Sequence, residues 1–115
     1  MSDCLAAIDP HLAPRPGEPV FRKERYSAFH RTRLRAWLES KGVTTVVLAG
    51  VMTHVCVDTT ARDGISLGFD VIIAADACAS KSAALHEASL QCLSHAVARV
   101  VTVRRLGAVI AEVQR

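Results

Sequence analysis

The sequence predicts an α/β domain of three layers, with helices on both faces of a mostly parallel, Rossmann-like sheet. Three observations carry that prediction. Short β-branched apolar runs alternate with helical stretches of 3.6-residue period from about residue 19 onward. Half of the residues are hydrophobic yet only 4% are aromatic, and the abundance of Ala and Val suits helices lying close on a sheet. The chain of 115 residues is the size of one domain with a single core. Alternation at this spacing implies right-handed crossovers and parallel strands.

Residues 1–18 contain Pro10, Pro14, Pro16 and Gly17 and read as an extended lead-in to a domain over 19–115. Pro19–Lys23 is a brief strand or extended arm that delivers Lys23 to a loop running from Glu24 to Phe29. Thr32 caps a helix over 33–41, in which Leu34, Trp37 and Leu38 form the apolar stripe and Gly42 is the stop. A strand over 44–49 follows. Thr53 then caps a helix that holds Cys56 in its first turn and ends at Gly68. The next strand, 69–74, ends before Asp76, where a loop begins. From about residue 82, Leu85, Ala88, Ser89, Cys92, Leu93 and Ala96 recur at helical spacing, which puts Cys92 on the packed face. A strand over 98–103 leads into a terminal helix with the stripe Leu106, Val109, Ile110 and Val113.

The net charge of +3 comes largely from Arg15, Arg22, Lys23, Arg25, Arg31, Arg33 and Arg35. This basic segment lacks the interleaved aromatics and motifs of nucleic-acid binding, so it reads as a solvated face or an approach for an anionic substrate. No apolar run reaches the length of a membrane span, and the first residues have no basic leader pattern. A cytoplasmic protein with no nucleic-acid or membrane partner is expected. Cys4, Cys56, Cys78 and Cys92 show neither paired spacing nor a histidine cluster, so reduced thiols and no metal or cofactor are expected.

The chemistry centres on Gly50-Val51-Met52-Thr53-His54-Val55-Cys56-Val57. A cysteine at a helix start, just beyond a strand, meets unpaired N–H groups and the positive end of the helix, which favour the nucleophilic thiolate. Buried packing is the plainer role for any single cysteine. In an open parallel sheet the site lies beyond the carboxyl ends of the strands, and Lys23, Cys56 and Asp76 all fall there. A lysine ammonium beside the thiol favours the thiolate and can bind developing negative charge.

Lys23 through Phe29, with Thr32, Leu34 and Leu38 behind it, resembles the K-x-x-Y-S-A-F-x-x-T-x-L-x-x-x-L signature of the isochorismatase-like cysteine hydrolases. The likeness continues through the Gly50–Val57 turn, Thr60-Ala61-Arg62-Asp63, Gly68 and Asp76-Ala77, and ends in the helix containing His86. The resemblance implies a cysteine, lysine and aspartate triad acting on the amide or carbamoyl group of a small molecule. It makes Cys56 the nucleophile and Lys23 its partner, and it implies a cis peptide between Val51 and Met52, with the N–H groups of Met52 and Cys56 as oxyanion hole. Tyr26, Phe29, His54 and Met52 are the expected walls of the substrate site.

In that family the aspartate ends a first central strand, and here 22 residues precede Lys23 and contain no such strand. Asp3 and Asp9 are the only acids before Glu18, and neither ends a strand. The expectation is therefore the C-terminal two-thirds of the usual domain, with a sheet incomplete at its N-terminal side and impaired catalysis. Such a sheet exposes an apolar edge at 44–49 and favours a homo-oligomer. The alternative reading is a non-catalytic remnant or oligomerising domain, with a redox-sensing Cys56 a third.

Overall fold

The computed structural model describes residues 7–114. Strands β1 (Thr45–Val51), β2 (Asp70–Ala79) and β3 (Arg99–Val101) form one parallel sheet in the order β1-β2-β3. Helix α1 (Leu34–Ser40) precedes the sheet, α2 (Asp58–Ser66) and α3 (Ala83–Ala96) make the crossovers, and α4 (Val103–Val113) follows β3.

The sequence Val71-Ile72-Ile73-Ala74 is an unbroken apolar run because β2 is covered on both faces, and all four residues are buried. Val71 and Ile73 point to one side, into a cluster with Ala61, Leu90 and Leu93 from the two crossover helices and Val57 just before the first of them. Ile72 and Ala74 point the other way, toward the side that α4 covers with its buried Val109. Two successive crossovers of the same hand place α2 and α3 on one face, where they touch each other. The three-layer arrangement expected from the sequence follows.

Local signals fix several element ends. Ser82 caps α3 by accepting a hydrogen bond from Leu85 N at 3.2 Å. Gly68, at φ +94°, closes α2 in a conformation that other residues adopt at a cost. Thr32 lies one residue outside the cap of α1, yet its hydroxyl accepts from Leu34 N at 3.3 Å and donates to Ala28 O at 2.5 Å.

Four expectations need correction. Of the two forms expected for Pro19–Lys23 the strand does not occur: the segment pairs with no strand among the described residues, Pro19 has no N–H to offer, and the segment is exposed except at Phe21. β2 does not end at Ala74. Its pairing with β1 jumps from Leu48↔Ile73 to Gly50↔Cys78, so the strand bulges and then continues to Ala79. Asp76 lies within that bulge. Cys92 is exposed, because the buried stripe of α3 runs through Ser89, Leu90 and Leu93 and leaves Cys92 roughly 100° round the helix from its middle. Thr53 caps nothing: it begins a wide π-helical turn over Thr53–Val57 that precedes α2, and it is fully buried.

β1 is an edge strand among the described residues, with Val47 39% and Val51 67% exposed. The apolar edge expected from the sequence is present. Asp9 lies far from it in a different role, capping a short 3-10 turn at Pro10–Leu12 through bonds of 2.8 and 2.9 Å to His11. Asp3 and Cys4 lie outside the described residues.

Candidate active site

β1 delivers the chain to the carboxyl end of the sheet, where Gly50 adopts φ +132° and the Val51–Met52 peptide is cis. The chain then turns at once. Met52 O accepts from Val55 N at 3.1 Å and from Val57 N at 3.3 Å, which winds Thr53–Val57 into the π turn that presents Cys56. The thiol is half-buried.

Lys23 comes from a loop, and aromatic packing explains how a loop can place it. On one side Phe21 meets Trp37 of α1 edge to face, with centroids 6.3 Å apart. On the other, Phe29 stacks on Phe69 at 5.6 Å and lies against Gly64 of α2. Ala28 N donates to Thr60 Oγ1 of α2 at 2.9 Å, and Ser27, buried, accepts from Phe29 N at 3.1 Å. Between these anchors the Lys23 ammonium donates to Arg25 O at 2.8 Å, to Tyr26 O at 3.3 Å and to Cys56 Sγ at 3.3 Å. Two carbonyls aim the cation at the sulfur. Residues 33 positions apart in sequence are thus brought into one hydrogen bond.

Beside Lys23 lies an open cleft of about 1210 Å³, lined by Phe21, Arg22, Lys23, Arg25, Tyr26, His30, Thr59 and Asp63 among others. It reaches Lys23 but not Cys56, so the thiol sits at its margin. Tyr26 is 64% exposed and lines it, whereas Phe29 is turned into the packing under the loop. His54 is held by a hydrogen bond of 2.9 Å between its Nδ1 and Ser80 Oγ. Asp76 does not join the site: its Oδ1 accepts from Val103 N at 2.7 Å and caps α4. Among the described residues Lys23 is the only side chain hydrogen-bonded to the Cys56 thiol. No cluster of potential metal ligands is found among them.

Cys78, opposite Gly50 in the sheet register, is held protonated by burial, with Asp76 adding to the effect against an opposing backbone hydrogen bond from Gly50. Its thiol ionises above its ordinary value of 9.0 and makes a poor nucleophile.

Beneath the Thr53–Val57 turn is a polar group that the sequence reading missed. Thr53 Oγ1 and His86 Nδ1 are hydrogen-bonded at 2.7 Å. Ser89 Oγ donates to Asp58 Oδ2 at 2.6 Å and lies 3.4 Å from Thr53 O, and Asp58 Oδ1 accepts from Arg62 Nε at 2.6 Å. The available signal was the i, i+3 spacing of His86 and Ser89, which puts two polar residues on the face of α3 that also carries Leu90 and Leu93.

Known proteins resemble this chain in sequence and in fold. The family model described as an isochorismatase domain matches residues 1–105. Nicotinamidase 3 of Arabidopsis thaliana is 44% identical over 91 residues, which are 79% of this chain and 46% of that protein. A ureidoacrylate amidohydrolase of Methylobacterium radiotolerans is 47% identical over 66 residues, covering 57% of this chain and 26% of the relative. Among solved structures, an isochorismatase family protein from Desulfovibrio vulgaris superposes with a TM-score of 0.88 at 31% identity, over 92% of this chain and 56% of that one. An isochorismatase-like hydrolase from Alkaliphilus metalliredigens gives 0.86 at 38% identity, over 90% and 57%. The chain spans about half the length, or less, of these curated relatives. With the family model covering nearly all of it, and with a fold shared at these identities, the chain belongs to the isochorismatase family.

Proposed function

We propose that this chain carries the nucleophile half of a cysteine amidohydrolase acting on small molecules with an amide or carbamoyl C–N bond, and that residues 19–115 are its catalytic domain. The observation that carries the reading is the 3.3 Å contact between Lys23 Nζ and Cys56 Sγ, made by a lysine whose other two bonds aim it at the sulfur. The Cys56 thiolate attacks the carbonyl carbon: a C–S bond forms and the π pair moves to oxygen. Backbone N–H groups of Met52 and Cys56 serve as the oxyanion hole. Collapse expels the amine, which must gain a proton, and water then hydrolyses the thioester to the acid and the free thiol. Tyr26 and His54 are assigned to substrate contact, Phe29 being turned into the packing under the loop, and the names of the amide-hydrolysing relatives support the bond type.

Among the described residues no carboxylate is hydrogen-bonded to the Cys56 thiol, and none is assigned as the acid for the departing amine. The test is ammonia release from nicotinamide, ureidoacrylate and other small amides by the chain and by Cys56→Ala. Release that depends on Cys56 supports the assignment; release that survives Cys56→Ala contradicts it.

The uncovered edge of β1 favours a second reading, a domain that associates through that edge, as a homo-oligomer in the simplest case. Size-exclusion chromatography with light scattering tests it, and a monomer at all concentrations contradicts it.

A further inference from the structure

We propose that His86 is a positioning residue for the nucleophile: through Thr53 it pins the start of the Thr53–Val57 turn to α3 and so holds the Cys56 thiol against Lys23. This rests on the assignment of Cys56 above.

Cys56 is carried on a five-residue π turn over Thr53–Val57, outside the regular hydrogen-bond ladder of α2. Its lower end is anchored by Val57, buried in the core cluster, and by the start of α2. Its upper end follows the Met52 corner on β1, an edge strand among the described residues, and is held by two side chains, His54 through Ser80 at 2.9 Å and Thr53. The Thr53 side chain is fully buried and its hydroxyl bonds His86 Nδ1 at 2.7 Å. Ser89, one helical turn further along α3 and 6% exposed, lies 3.4 Å from the carbonyl of the same residue while donating to Asp58 of α2. The polar face of α3 thus grips both ends of the turn, at Thr53 and at Asp58. A buried hydroxyl without a partner is costly, so breaking the Thr53–His86 bond favours a displaced turn over the one observed. A hydrogen bond of ordinary net strength corresponds to a population change of about tenfold. Lys23 is anchored separately, to Arg25 O, Tyr26 O and the packing of Phe21 and Phe29, so it does not follow the thiol when the turn moves.

The test uses iodoacetamide as probe and mass spectrometry of the Cys56-bearing peptide, with exposed Cys92 as the reference thiol in the same molecule. Four variants are compared with wild type at neutral pH: Thr53→Val, Thr53→Ser, His86→Leu and His86→Asn. The first and third remove the bond, whereas Ser and Asn keep a partner for it. Thr53→Val and His86→Leu should slow Cys56 about tenfold relative to Cys92, with Thr53→Ser and His86→Asn within about twofold of wild type. Should Thr53→Val lose its cooperative urea transition, the His86 pair alone decides. Wild-type rates in the bond-breaking variants overturn the inference, and so does equal slowing in the conservative ones, which would make the site one of packing alone. A wild-type Cys56 no faster than Cys92 overturns the nucleophile assignment itself and this inference with it.

Discussion

Gly64 is the point at which the helix behind Cys56 touches the loop that carries Lys23, and replacing it should loosen both. A Cβ built there lies 3.1 Å from Val71 Cγ2 and 3.5 Å from Phe29 Cε2. Val71 is buried in the central strand and β-branched, so it has little freedom to withdraw. Alanine gains about 1 kcal/mol in helix propensity over glycine, which offsets most of the crowding. Valine gains less propensity and adds two further carbons to a position already in contact. Overpacking of about 1–3 kcal/mol then dominates, and Gly64→Val should lose about 2 kcal/mol of stability. With an m-value of about 1.5 kcal/mol/M for a domain of this size, the urea midpoint falls by more than about 1 M, while Gly64→Ala stays within about 1 kcal/mol of wild type. A Gly64→Val midpoint equal to that of the wild type would show that α2 does not seat against β2 and Phe29 as described.

Three further outcomes follow from the geometry. Asp76→Ala should cost about 1 kcal/mol of stability through loss of the α4 cap without altering Cys56 alkylation, and Asp76→Asn should retain the cap; a change in alkylation would return Asp76 to the site. At 3.3 Å and in a solvated setting, an ammonium and a thiolate attract by about 1.3 kcal/mol, so Lys23→Met should slow Cys56 alkylation about tenfold, and an unchanged rate would remove the lysine from its role. The raised ionisation of Cys78 means that the unfolded chain loses this proton before the folded one as pH climbs past 9.0, so its contribution to stability is complete below that pH and declines above it. Urea midpoints at about pH 8 and about pH 10 should therefore differ more for wild type than for Cys78→Ala, and equal differences would refute the sign.

The sheet was readable in the sequence because β2 announces a strand covered on both faces through four consecutive apolar residues, and the crossover helices through their 3.6-residue stripes. The alignment of Lys23 with Cys56 was readable only as a motif. The contact itself depends on Phe21, Phe29, Trp37 and Phe69, whose pairing across the fold no local period encodes. The arm before Lys23 carries strand-like residues but finds no neighbour, so tertiary context decides against its propensity. The bulge in β2 escaped for a related reason. Asp76 looks like a loop residue, but Cys78 and Ala79 return to pair with Gly50 and Val51, a decision made by the partner strand. Cys92 was misplaced because its helical spacing matches the stripe's edge as well as its centre. The Thr53–His86 bond was hidden for the opposite reason: threonine at a strand-to-helix junction reads as a cap, and only the packing of α3 shows that its hydroxyl turns inward.

The proposed chemistry requires Cys56 to be an activated thiol paired with Lys23. The rate at which iodoacetamide alkylates Cys56 in the intact chain at neutral pH, set against N-acetylcysteine under the same conditions, measures this directly. The pairing predicts a rate at least about tenfold above that of the free thiol. A Cys56 that reacts no faster than N-acetylcysteine would contradict it.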